Sequence, residues 1–195
     1  MRQTYIFILN IFIIFMSMST SYGQLSVINP SFEDTPSDAT VPHGWQACDD
    51  LTTPDILPGY WGVYIEPSEG DTYVGIITRE NSTYEQFGQR LSGSMEAGSC
   101  YQFAIDLAHS DIYAGYKQPI KLQVFVGDDK CSTDQLVYTS PLIKDEDWET
   151  HVITFTAKGN YSYVMLRAHI KDGKFSHKGN ILIDNLTSLT NCNKA

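Results

Sequence analysis

Arg79 and Glu85 stand on either side of the turn Glu80-Asn81-Ser82-Thr83, a spacing that sets a guanidinium and a carboxylate across a hairpin from each other. His109, Ser110 and Asp111 follow directly on the strand ending at Ala108. Together these five residues would form a polar pocket. Charged and hydroxyl groups there would give the directional hydrogen bonds that sugar hydroxyls require. The plainer reading of Arg79 and Glu85 is a cross-strand ion pair, worth under about 1 kcal/mol if exposed. Trp61, Tyr64, Tyr84, Tyr113 and Tyr116 lie in or beside loops. A sugar ring stacks its C–H face on such rings while its polar edge finds side-chain partners. Trp45 and Trp148 read as core.

Catalytic signatures are missing. The five histidines show no HExxH spacing, and the chain has neither a GxSxG elbow nor a phosphate-binding glycine loop. Asp106 with Asp111, or Glu146 with Asp147, would be carboxylate pairs. A glycosidase needs two carboxyls facing each other across a cleft, which such neighbours in an acidic chain do not establish. No enzyme is expected. With 13 Lys and Arg against 23 Asp and Glu, the net charge is −10, and there is no basic block. Nucleic acid is thereby excluded as an expected partner.

The elements that must carry these residues begin after a leader. Residues 1–23 run from Arg2 through an apolar stretch, Tyr5 to Met16, to the small and polar residues Ser17 to Gly23. That is the order of a secretory signal peptide, and the apolar stretch is short for a bilayer span. Losing Arg2 with it takes the net charge from −10 to about −11. The mature chain, 24–195, reads as one soluble domain without a membrane span, secreted or held at the cell surface through a partner. Cys48, Cys100, Cys131 and Cys192 are an even set in an exported chain, which predicts two disulfides; four cysteines allow three pairings. Sequons stand at Asn81, Asn160 and Asn185.

About nine strands are expected, over Leu25–Glu33, Tyr73–Arg79, Tyr84–Leu91, Cys100–Ala108, Ile120–Gly127, Gln135–Thr139, Trp148–Ala157, Tyr161–Ile170 and Asn180–Leu189. Cys100–Ala108 alternates Tyr101, Phe103, Ile105 and Leu107 with Gln102, Ala104, Asp106 and Ala108. Tyr161–Ile170 likewise separates Val164, Leu166 and Ala168 from Tyr163, Met165, Arg167 and His169. Period-2 alternation is the mark of a half-buried strand. Lys158-Gly159-Asn160 reads as the turn of a hairpin between Trp148–Ala157 and Tyr161–Ile170. Many short strands without a helix predict an all-β antiparallel sandwich or barrel.

Four motifs in order narrow this further: Asn29-Pro-Ser-Phe-Glu33; Pro42-His-Gly-Trp45; Gln89-Arg-Leu91 followed by Gly98-Ser-Cys-Tyr-Gln-Phe103; and Trp148 before Phe155, closing on Ile183-Asp-Asn185. Their order resembles the galactose-binding-like jelly roll of carbohydrate-binding modules. Gly59–Ser110 resembles exported surface modules of Bacteroidetes-type bacteria. The resemblance implies a β-sandwich of jelly-roll type and a secreted, noncatalytic module that binds carbohydrate. The alternative is a cell-envelope or adhesion module with a protein partner. It implies neighbouring first and last strands, so that Glu33 and Asp184 would hold a structural Ca²⁺. It also implies that the strand opening at Cys100 runs antiparallel beside the one ending before Cys192, joining those two cysteines and leaving Cys48 to Cys131. The expected ligand-binding residues are Trp61, Tyr64, Arg79, Tyr84, Glu85, His109, Ser110, Asp111 and Tyr113.

Overall fold

A computed structural model describes residues 24–170 and 177–192; the leader expected over 1–23 lies outside the described residues. The fold is two sheets packed face to face, antiparallel but for one short parallel pairing at Gly179–Asn180. The five-stranded sheet runs β1 (Gln46–Ala47), β4 (Gln86–Arg90), β10 (Tyr163–His169), β7 (Lys121–Gly127) and β8 (Gln135–Thr139). The seven-stranded sheet runs β12 (Thr190–Asn191), β5 (Cys100–Ala108), β11 (Gly179–Asp184), β3 (Tyr73–Thr78) and β2 (Asp55–Leu57). In addition β9 (Glu149–Thr156) pairs with the other edge of β5, and β6 (Gln118–Pro119) pairs with β11.

The alternation read in the sequence is realised. Tyr101, Phe103, Ile105 and Leu107 of β5 and Val164, Leu166 and Ala168 of β10 all enter one core between the sheets. At one end of that core Phe32, Trp45 and Phe87 meet, with ring centroids 4.9, 5.2 and 6.1 Å apart. The first two motifs build this corner. The Asn29 amide binds Glu33 N at 2.7 Å and Glu33 O at 2.9 Å, closing a turn that drives Phe32 inward. Trp45 Nε1 then donates to Asn29 O at 3.0 Å.

Three expectations are corrected. Leu25–Glu33 is not a strand. It meets Leu189 at a single bridge and then turns, because side chains take backbone groups that a neighbouring strand would have paired: the Gln89 amide binds Ile28 N and O, and the Asn29 amide binds Glu33 N and O. The segments around Lys158-Gly159-Asn160 do not pair with each other: β9 joins β5 in one sheet and β10 joins β4 and β7 in the other. Trp148 is not part of the central core. It stands edge-on to Tyr73, 5.2 Å between centroids, in a second cluster outside the seven-stranded sheet.

That second cluster holds Leu57, Val63, Tyr73, Ile77, Ala108, Tyr113 and Leu182. It sits beneath the connections over 58–72 and 109–117. Gly75 makes room for it: a Cβ there would lie 2.8 Å from both the Tyr113 ring and Leu57.

Both disulfides form as expected, Cys100–Cys192 and Cys48–Cys131, each with Cα atoms 5.4 Å apart. The first closes where β12 lies beside β5, with Cys192 N donating to Cys100 O at 3.1 Å. The second reaches from the end of β1 to the β7–β8 turn, over strands β4 and β10 that lie between them. Cys131 Sγ lies 3.9 Å from Ala47 O, so the turn straps the outer face of the five-stranded sheet.

Candidate functional site

The expected pocket of Arg79, Glu85, His109, Ser110 and Asp111 is not assembled. Arg79 Nη2 meets Glu85 Oε1 at 2.6 Å, but this pair lies inside the corner where the chain crosses from β3 to β4. Glu85 is 1% exposed and accepts from Thr53 N at 3.2 Å, Thr53 Oγ1 at 2.9 Å and Ile77 N at 3.0 Å. Burial pushes its carboxyl up, and Arg79 pulls it back. Its oxygens are engaged within the protein, so Glu85 is a structural anchor. His109 and Ser110 are buried elsewhere, around Asn180. The Asn180 amide accepts from Ser110 N at 3.0 Å and donates to Ser110 O at 2.8 Å and Tyr116 O at 2.7 Å.

Tyr113 is also corrected. It is a pillar of the second cluster, 1% exposed, and its hydroxyl donates to the Asp55 carboxylate. Asp55 accepts a further bond from Ala39 N at 2.8 Å. Burial nevertheless pushes the Asp55 carboxyl up to about 7.

Trp61 and Tyr64 stand on the rim of the covering loops. Tyr64 is 72% exposed, and Trp61 Nε1 donates to Asp38 Oδ1 at 3.1 Å. A shallow depression of ≈ 340 Å³ opens there, lined by Gly62, Tyr64, Ile65, Ser110, Ile112 and Glu146. Asp111 N donates to Glu146 Oε1 at 3.2 Å, and its exposed carboxylate lies 3.5 Å from His109 Nε2.

Glu33 and Asp184 hold the loop over 66–72. Glu33 accepts from Asp71 N at 3.1 Å and Thr72 N at 3.3 Å. Asp184 accepts from Ser68 N at 2.9 Å, Glu69 N at 3.0 Å and Asn185 N at 2.7 Å. Burial still pushes Asp184 up to about 7, and the charge of Glu33 adds to the push. Among the described residues no three His, Cys, Asp or Glu gather as a ready metal site.

The remaining candidate, Tyr84, lies on the opposite side of the molecule, and it has company the sequence did not single out. The outward residues of the five-stranded sheet include Gln86, Gln123, Phe125 and Arg167, brought side by side by the register Arg167↔Gln86 and Arg167↔Gln123. Arg167 donates from Nη2 and Nε to Gln123 Oε1 at 2.6 and 3.2 Å. Its guanidinium lies 4.1 Å over the Phe125 ring and 5.3 Å from the centroid of Tyr84, which is half exposed. Gln86 is 8% exposed, and its backbone N–H donates to Thr52 Oγ1 at 3.2 Å. The signal for this set was Arg167, an arginine in the middle of the second face of an alternating strand.

No known family profile and no curated protein matches the chain in sequence. Solved structures match it in fold. They include a cyclase from Fischerella sp. TAU in complex with 4-(1H-indol-3-yl)butan-2-one, at 18% identity over 86% of this chain and 96% of that one, TM-score 0.61. The K2 cleaved adhesin domain of Lys-gingipain matches at 12% identity over 83% and 96%, TM-score 0.53. The CBM22-1 xylan-binding domain of Paenibacillus barcinonensis Xyn10C matches at 14% identity over 83% and 90%, TM-score 0.51. At these identities the likeness establishes the fold, a jelly roll of the carbohydrate-binding-module type. One such fold carries an enzyme, an adhesin domain and a xylan-binding domain, so function must be argued from the site.

Proposed function

We propose that the chain is an exported, noncatalytic carbohydrate-binding module whose glycan lies on the outer face of the five-stranded sheet, around Arg167. The observation that carries this reading is the cluster on that face: the Arg167 guanidinium, held by Gln123 and 5.3 Å from the centroid of the exposed Tyr84 ring, with Gln86 beside it in register. An amide, a guanidinium already oriented by Gln123, and a phenol ring make a hydrogen-bonding and stacking set suited to a sugar ring. Export is supported by the leader pattern of residues 1–23 and by the two disulfides. Glycan-array screening of the exported chain tests the reading. A bound glycan whose affinity falls at least about tenfold in Arg167→Ala is expected. A glycan bound equally well by Arg167→Ala would move the site elsewhere.

The exposed rim of Trp61, Tyr64 and Ile112 favours a second reading, contact with a protein partner. Calcium belongs to the first reading. Glu33 and Asp184 would supply two carboxylate oxygens, with backbone carbonyls of the adjoining loop completing an oxygen shell. A higher melting temperature in millimolar Ca²⁺ than in EGTA is expected; identical melting would remove the ion from the account.

A further inference from the structure

The seven-stranded sheet ends on β9, which pairs with β5 without interruption from Cys100↔Thr156 to Leu107↔Glu149. His151, Ile153 and Phe155 point into the sandwich, while Thr150, Val152 and Thr154 are exposed, Val152 to 60%. Backbone direction follows the same parity. Cys100 O and Ala104 O turn away from β9, accepting from Cys192 N at 3.1 Å and Thr187 N at 2.9 Å. Their partners Thr156 and Val152 therefore turn N–H and C=O away from β5, and so do Thr150 and Thr154. The Gln135 side chain takes Thr156 O at 2.9 Å and Lys158 N at 2.8 Å. The backbone groups of Thr150, Val152 and Thr154 face no strand among the described residues.

Folded proteins blunt such edges with charge, proline, bulges or brevity. The other edges here follow that rule. β1 and β12 have two residues each, and β2 has three and is capped by Ser37. β8 carries a register shift against β7 and runs into Pro141. In contrast, β9 has eight residues, with no proline, glycine, lysine, arginine or carboxylate between Thr150 and Thr156.

We propose that two copies of the chain pair antiparallel through β9 about a two-fold axis at Val152. This register sets Val152 against Val152 and Thr150 against Thr154, each facing pair exchanging two N–H···O bonds. Of the registers that align the outward groups, it uses all three free residues and leaves the Gln135 clamp on Thr156 intact. A shift by one pair would set Thr150 against Thr156, whose carbonyl is already taken. The same register carries the exposed Lys158 of each copy to Glu146 of the other, beside Asp145 and Asp147. The edge is thus self-complementary in shape, in hydrogen bonding and in charge, as an isologous interface requires.

Sedimentation of the exported chain from micromolar to hundreds of micromolar tests this. A concentration-dependent dimer is expected, and Val152→Lys is expected to be monomeric, with an unchanged melting temperature at dilutions where the parent chain is also monomeric. Under mild oxidation Val152→Cys should give a covalent dimer, since facing Cα atoms about 5.5 Å apart lie within disulfide reach. Leu136→Cys on the neighbouring edge should not. A monomer at every concentration, a dimer that survives Val152→Lys, or cross-linking through Leu136→Cys as fast as through Val152→Cys would each overturn the proposal.

Discussion

The two sheets treat their outer faces differently. The seven-stranded sheet is plated: the loops over 58–72 and 109–117 lay a second apolar cluster on it, pinned by the Tyr73 hydroxyl on Ile65 O at 2.9 Å and Trp148 Nε1 on Glu66 O at 2.8 Å. Polar groups beneath that plating are spoken for, as in the Asn180 amide and the Tyr113–Asp55 contact. The five-stranded sheet is crossed by a strap held by Cys48–Cys131, and beside it lie Arg167, Gln86 and the exposed Tyr84. Where the fold has finished its own bonding, polar residues are structural. Where polar and aromatic side chains remain on an unplated face, they are available to a ligand.

The disulfides sharpen this contrast most strongly. Each closes a long loop, with sequence separations of 83 and 92, and removing either with paired Cys→Ser changes should cost about 4.5 kcal/mol by the chain-entropy account. Urea unfolding should show similar losses for both. Titration with a bound glycan should separate them: loss of Cys48–Cys131 weakens binding because it frees the strap, and loss of Cys100–Cys192 does not. Equal binding losses would mean the strap has no special place.

Tyr73→Ala tests the plating itself. The ring is fully buried against Trp148, so the change should cost about 4 kcal/mol. It should alter tryptophan emission while sparing glycan affinity in protein that remains folded. A loss of affinity without unfolding would couple the two faces.

Stability is also expected to depend on pH. Burial holds Asp55 near 7 and Asp184 near 7, against an ordinary value of 3.8. The folded state therefore favours their neutral forms. The stability they contribute is fully present below pH 3.8 and is lost as pH rises through about 7. Unfolding free energy should fall between pH 5 and pH 8, and Asp55→Asn should flatten part of that slope. A slope unchanged in Asp55→Asn would show that Asp55 is ionised in the fold at neutral pH.

Much of the sandwich was legible in the chain, and the limits are physical. Cys100–Ala108 declares its two faces because one is packed and one is not. The turn at Lys158-Gly159-Asn160 could not declare that it joins two sheets, since a short arch between sheets and a hairpin share turn residues. Leu25–Glu33 has the apolar content of a strand, but the Gln89 and Asn29 side chains take the backbone groups of Ile28 and Glu33. Tyr113 sits among loop residues, and only Gly75, distant in sequence, reveals the space that buries it. Arg167 stood in plain view on an alternating strand; that its neighbours would be Gln86 and Gln123 depends on pairings no local pattern encodes.

Two tyrosines divide the faces, Tyr84 beside Arg167 and Tyr64 on the loop rim. The most direct measurement is calorimetric titration of the best array glycan into Tyr84→Ala and Tyr64→Ala, with melting curves confirming that both are folded. Tyr84→Ala should lose about tenfold in affinity, or ~1.4 kcal/mol, with Tyr64→Ala unchanged. Full affinity in Tyr84→Ala together with a loss in Tyr64→Ala would contradict the account and assign the ligand to the plated face.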